Sequence, residues 1–535
     1  MSSVKLSRRS VVAGAAATAG ALSAPISVSA QQPQDVLRVV MHSDLRIVDP
    51  IWTTAYITRN HGYMIYDTLL AMDAKGEIQP QMLQGFTASA DKLTYDFTLR
   101  DGLLWHDNQP VTAEDCVASI KRWGARDALG QTVLGFVEAI TVKDAKSFQI
   151  KLKEPTGLLI FALGKPSSNV PFMMPKRVAD TDPNTQISDF TGSGPFRMVR
   201  EEWRPGDKAV YVKFDGYKPR AEPPSSLAGG KVAKVNRVEW RVIADQQQAA
   251  NALLAGEIDL MEAPSHDLLP LLKGDRSIKL VEWNPLGNQY TMRFNQSVKP
   301  FDNPKIRQAV LYALNQEDFL KATIGDPEYY KVCKAMFVCG TPLETTAGME
   351  DKLESNFAKS RQLLQEAGYN REPIVLLHST DLQVLTNLGP VAKSLLERGG
   401  FVVDMQSMDW QTVVARRVKK DPPAQGGWNA MLTSWVSADI LNPVMAGFFN
   451  ATGDKAAFGW PNDPELEALR QRFARAGTPA EQKSIAEAVQ RRVAESPTHV
   501  HLGQWYQPGA TRPNISGWIP APAPIFWNIE KGRGA

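Results

Sequence analysis

Residues 80–123 read PQMLQGFTASADKLTYDFTLRDGLLWHDNQPVTAEDCVASIKRW, and this stretch decides how the chain folds. Leu93–Arg100 alternates apolar and polar side chains with the period of two that a half-buried strand requires. Asp101-Gly102 supplies a turn, and Leu103, Leu104 and Trp105 form a second short apolar run. Pro110 leads into Thr112-Ala-Glu-Asp115, the spacing of a capping box, in which the Thr hydroxyl takes an orphan amide of the first helical turn. Cys116, Val117, Ile120 and Trp123 then recur at helical spacing. The expected order is strand, turn, strand, helix.

From Gly85 to Asp115 the same residues, in the same order, resemble the signature of the dipeptide/oligopeptide-binding family of ABC-transporter solute-binding proteins, family 5. Four further stretches are similar to that family: Gly192-Ser193-Gly194-Pro195-Phe196, Ala252 through Asp259, Asn295 through Asn315, and Leu363 through Tyr369. The resemblance implies an α/β type II periplasmic-binding-protein fold of cluster C, with two lobes, an extra domain and a ligand cleft between the lobes. It implies a discontinuous domain I (31–67, 192–285 and 505–535), domain II at 68–191 and domain III at 286–504. Two lobes joined by hinge strands would close on a ligand as a clamp.

The rest of the chain reads as alternating strands and helices, the pattern of α/β lobes. Arg237–Ile243 alternates like a strand, and Asp245 opens a helix that Gly256 ends. Ile278–Trp283, Tyr290–Phe294, Ile374–His378 and Phe401–Met408 read as strands. Leu382–Arg398 and Trp410–Val418 read as helices, and Asp463-Pro464 and Thr478-Pro479 start two more.

Residues 1–30 are expected to be a cleaved export signal and not part of the fold. Ser7-Arg8-Arg9-Ser10 is a twin-arginine pattern, a weakly apolar Ala/Gly-rich run follows, and Val28-Ser29-Ala30 offers the small residues of a cleavage site. This resembles a Tat signal and predicts a periplasmic protein. Those residues hold Lys5, Arg8 and Arg9 and no acid, so the formal charge of +3 falls to 3 − 3 = 0 on removal. Nothing suggests a nucleic-acid footprint, no later segment is long and apolar enough to span a bilayer, and the expected form is a monomer. Cys333 and Cys339 can close a short disulfide in an oxidising compartment, or stand as two unrelated thiols. Cys116, in an apolar helical pattern, reads as a buried small hydrophobe.

A cleft of this kind needs few polar groups. The segment Trp428–Pro443, WNAMLTSWVSADILNP, is similar to the family loop whose Asp receives a ligand ammonium, which makes Asp439 the candidate. It departs from the pattern, since Asp439 follows Trp435 by four residues instead of three, Ser434 replaces Gly, and Asn442 precedes Pro443. The alternative for Asp439 is a cap before Ile440. Oligopeptide binders also carry an Arg just before this Trp, and Leu432 occupies that neighbourhood here, so a peptide carboxylate lacks its usual partner.

Tyr56, with Thr58 and His61, follows Val48-Asp49-Pro50, which resembles the family's N-terminal motif, and either faces the cleft or packs. Asn295 and Trp410 are candidates at lobe edges, and Trp435 either stacks on a ligand or fills core. His106, inside the family motif, reads as structural. His499-Val-His501 puts two imidazoles on one strand face, yet no third ligand stands at diagnostic spacing, so no metal and no cofactor are expected. No Gly-x-Ser-x-Gly, His-Glu-x-x-His or Walker pattern is present. The resemblance implies a small-molecule solute and an ABC permease as partners. Docking on a chemoreceptor or sensor is the alternative, and a secreted hydrolase a weaker one.

Overall fold

The computed structural model describes residues 36–532, so the expected signal segment lies outside the described residues. Three sheets organise the chain, and we call the bodies built on them domains I, II and III. Domain I holds a seven-stranded sheet in the order 279–282, 508–511, 260–261, 36–40, 237–241, 208–213, 196–198. Its strand Val36–Val40 runs parallel to both Arg237–Arg241 and Leu260–Met261.

Domain II is a four-stranded antiparallel sheet, 83–88, 94–99, 147–152, 137–142, backed by the helix Ala113–Arg126. The alternation read in the sequence puts Tyr95, Phe97 and Leu99 inside, where Phe97 stacks on Phe148 with centroids 5.0 Å apart. The capping box forms: Thr112 accepts from the amide of Asp115, whose carboxylate accepts from the amide of Thr112 at 2.8 Å. The second apolar run is not a strand. Leu104 makes only an isolated bridge to Pro110, and the amide of Trp105 turns back onto the carbonyl of Gln109 at 2.8 Å. Five residues between Trp105 and Val111 leave too little chain for a second ladder, and the run instead sinks Leu103 and Trp105 into the core.

The return from domain II to domain I passes through Gly192-Ser193-Gly194. A Cβ at Gly192 would overlap the carbonyl oxygen of Ile65, and one at Gly194 would meet the backbone of Tyr66 at 2.9 Å, so only glycine fits. His106 clasps this turn: its Nδ1 accepts from the amide of Gly192 and its Nε2 reaches the carbonyl of Gly194, both at 3.2 Å. Its structural reading holds. A second tie between the domains is ionic. Arg122 donates both terminal nitrogens to Asp49, at 3.1 and 2.8 Å, and both side chains are almost fully buried.

Domain III is a six-stranded mixed sheet, 330–331, 499–505, 288–294, 430–436, 374–379, 403–408. The expected helix over 382–398 is two, Gln383–Thr386 and Leu388–Arg398, broken at Asn387. The sulfurs of Cys333 and Cys339 lie within bonding reach, with Cα atoms 5.9 Å apart, and Cys116 is buried among apolar residues. Among the described residues no helix is long and apolar enough to cross a membrane.

Candidate functional site

Asp439 lies where the three domains meet. The strand Ala430–Val436 ends there in a single 3-10 turn, Ser437–Asp439. The turn sends the carboxylate across the domain boundary and not onto a following helix. Asp439 Oδ2 accepts from Tyr56 Oη of domain I at 2.8 Å and from Ser168 Oγ of domain II at 3.1 Å. Asp439 Oδ1 is buried and has no hydrogen-bond partner among the described residues. A buried carboxylate oxygen without a donor is costly, so this atom calls for an N–H or O–H that no described residue supplies.

Tyr56 is held on both sides of its hydroxyl. It donates to Asp439 and accepts from the amide of Val436 at 2.9 Å. Burial, and next the charge of Asp439, push its phenol well above the ordinary range, so it stays a donor. The guanidinium of Arg59 lies 4.8 Å from the centre of its ring and donates to Ser167 Oγ and to Asn60 Oδ1. Asn60 in turn donates to the buried Glu262, whose other oxygen meets His42 Nδ1 at 2.8 Å. A run of polar contacts therefore leads from the Asp439 carboxylate into domain I.

Ser168 was not visible from sequence. It sits in the loop Lys165–Val170, where Ser168 and Asn169 both adopt positive φ, 37° and 47°. Non-glycine residues pay strain for that conformation, and such strain gathers at ligand clamps. Here it is held by the side chain of Asn169, whose Nδ2 donates to the carbonyls of Pro50, Ile51 and Thr53. Behind the loop, Lys165 is ion-paired to Asp127 at 2.6 Å, both buried.

The other candidates divide. Trp435 stands on the strand leading to Asp439, its ring 5.6 Å from that of Phe448 and its buried Nε1 without a partner among the described residues. Trp410 opens the helix Trp410–Arg416 at the end of the strand Val403–Met408, half-buried, with the guanidinium of Arg417 5.9 Å from its ring. Asn295 does not join them: it is fully buried, donates to the carbonyl of Trp428 and accepts from Ser297, so its side chain braces a turn. Thr58 donates to the carbonyl of Ile47, and His61 meets Tyr211 Oη through Nδ1 while its buried Nε2 has no partner among the described residues. His499 and His501 do share a face, with ring centres 4.9 Å apart. No group of three or more His, Cys, Asp or Glu placed to hold a metal occurs among the described residues.

Three sheet-based domains meeting on one buried carboxylate define a lobed solute-binding protein. Solved structures share that fold over nearly the whole chain. A periplasmic binding protein, AgaA, from A. tumefaciens R10 in complex with agropinic acid matches with a TM-score of 0.77 at 20% identity, over 94% of this chain and 99% of that one. DppA from Helicobacter pylori, in complex with the peptide STSA, matches with a TM-score of 0.77 at 19% identity, over 93% and 98%. In sequence, a probable peptide ABC transporter periplasmic-binding protein, y4tO, of Sinorhizobium fredii is 38% identical across 98% of this chain and 99% of its own length. The family model for bacterial extracellular solute-binding proteins, family 5, matches residues 77–457. The chain belongs to that family. It is the periplasmic solute-binding component of an ABC importer, a binding protein whose solute is handed to a membrane permease.

Proposed function

We propose that this protein captures a small organic solute bearing a cationic nitrogen, peptide-like or otherwise, by closing domains I and II onto domain III at Asp439. The observation that carries this reading is the Asp439 carboxylate: one oxygen is bonded from both other domains, and the other is buried without a donor. A desolvated carboxylate is strongly favoured by an ammonium that replaces the lost water. The lobes follow the boundaries 31–67, 192–285 and 505–535, then 68–191, then 286–504. Closure shifts a pre-existing equilibrium, and the permease reads the closed form. The protein acts as a monomer without catalytic or nucleic-acid-binding activity. Its export follows the Tat route, after which the Cys333–Cys339 bond forms. Calorimetric titration of the solute into wild type and Asp439→Ala tests the reading, with a loss of affinity well over about tenfold expected. An unchanged dissociation constant would return Asp439 to a purely structural role.

A further inference from the structure

Beside the Asp439 site, one face of the domain III sheet carries polar side chains that the clamp does not use. Alternation along Asn288–Phe294 places Gln289, Thr291 and Arg293 on that face. Cross-strand register sets Thr291 opposite His501 and Thr433, and Arg293 opposite His499 and Met431. A register shift at Tyr290/Thr291 accompanies Gly503, whose φ is 119°. Thr291 Oγ1, Arg293 Nε, His499 Nε2 and His501 Nε2 are all buried without a hydrogen-bond partner among the described residues. Polar atoms of a folded interior are normally satisfied, so four adjacent exceptions on one sheet face need a reason.

The charge on this strip has one sign. Arg293 is 3% exposed, and its hydrogen bond goes from Nη2 to the carbonyl of Phe458 at 2.7 Å. Its guanidinium lies 4.2 Å from the centre of the Phe458 ring, with Arg417 4.4 Å from the centre of the same ring. Neither guanidinium pairs with a carboxylate among the described residues. Burial, then Arg417, lower the Arg293 guanidinium to about 9, which leaves it charged at neutral pH. The imidazoles are held neutral by burial, that of His501 down to about 4 and that of His499 well below its ordinary range. When Thr498 donates to His499 Nδ1 across their 2.8 Å contact, Nε2–H of His499 becomes a free donor. A metal cation beside Arg293 would meet like charge and no acid. An oxyanion would meet a buried cation and the donors of Thr291 and His499, whereas His501 keeps its proton on Nδ1, which faces the carbonyl of Ala335 at 3.4 Å, and flanks the strip without donating to it.

We propose that Thr291, Arg293 and His499, backed by Arg417 and flanked by His501, form an oxyanion-binding strip that takes a carboxylate of the captured solute. The strip replaces the arginine that peptide binders carry near the position of Leu432. Phe448 closes it: its ring lies 4.2 Å from His499, 6.1 Å from His501, 5.6 Å from Trp435 and 5.9 Å from the Arg293 guanidinium. Phe448 thus lies over the face that the strip shares with the strand ending at Asp439, and it must swing aside for a solute to reach both. The solute role rests on the function proposed above; the strip's affinity for an oxyanion does not.

The test has two arms. Full-length mature protein labelled with 15N-histidine is titrated with sodium formate at constant ionic strength, and long-range proton–nitrogen spectra follow the imidazoles, assigned with His499→Gln and His501→Gln. Saturable shifts of both rings with a dissociation constant on the order of 1 mM are expected. Arg293→Met should abolish them and Arg293→Lys should restore them in part. No formate-dependent shift, or tight zinc binding at the pair instead, would overturn the strip. In the second arm, solutes released by unfolding wild type and Arg293→Met are weighed by mass spectrometry. A carboxylate-bearing solute depleted at least about tenfold in the variant supports the solute role; an equal yield restricts the strip to free anions and overturns that role. If wild type releases no solute and takes none up, the function reading fails while the formate arm still decides the strip.

Discussion

Tyr56 Oη stands 2.8 Å from Asp439 Oδ2, although 383 positions separate the two residues in the chain. The bond joins the first helix of domain I to the turn that ends the strand Ala430–Val436 of domain III, and the amide of Val436 answers it from the other side. One hydroxyl therefore reports whether the domains are together. Tyr56→Phe removes both bonds and leaves a backbone N–H and a carboxylate short of a partner. The closed form should lose about 1–3 kcal/mol, and the solute should bind roughly 5- to 150-fold more weakly if closure is required. Small-angle scattering of the variant should show a more open average; unchanged affinity and scattering would detach Tyr56 from closure.

Ser168→Ala removes the weaker of the two bonds to Asp439, at 3.1 Å, and leaves Tyr56 in place. A loss of about 0.5–1.5 kcal/mol in solute affinity is expected, smaller than for Tyr56→Phe. Stopped-flow fluorescence from tryptophan reads it as faster solute release. A loss as large as that of Asp439→Ala would mean Ser168 touches the solute itself.

Arg122→Ala strands the buried carboxylate of Asp49, which also accepts the amides of Ile51, Trp52 and Ile187. Breaking one side of a buried ion pair costs about 3–5 kcal/mol. Chemical denaturation should show that loss, and joint replacement by well-packed apolar residues should recover part of it.

Acid should weaken the fold. His61, His499 and His501 are buried and neutral, with burial lowering His61 to about 3, His501 to about 4 and His499 well below its ordinary range. In the unfolded chain each takes a proton near pH 6.5. Between pH 6.5 and about 4 the unfolded state binds more protons, so stability falls as pH falls through that window. The melting temperature should therefore drop from pH 7 to pH 5, and His501→Gln should shallow the slope by removing one titrating group. A flat profile would show that these imidazoles reach water.

Local signals carried most of the fold. The capping box at Thr112, the cap at Asp245 with Gly256 behind it, and the alternation over Thr94–Leu99 all appear where the sequence places them, because each depends on neighbours a few residues away. Leu103–Trp105 misled, since an apolar run of three says that residues are buried without saying that they pair. At the site, Asp439 and Tyr56 came from family resemblance, and no local pattern joins them. Ser168 had no signal beyond a turn-prone Pro-Ser-Ser-Asn, because its role depends on backbone strain. The strip was half legible: NQYTMRF alternates with its polar residues on one face, and His499-x-His501 does the same. That the two strands pair, and that Arg293 therefore stands beside the histidine pair, needed the sheet register.

Native mass spectrometry of the exported protein, with and without unfolding, tests the central claim most directly. The account predicts a bound small molecule, released on unfolding, that carries a basic nitrogen and is missing from Asp439→Asn prepared alongside. A released solute with no basic nitrogen, or equal occupancy of the wild type and Asp439→Asn, would contradict it.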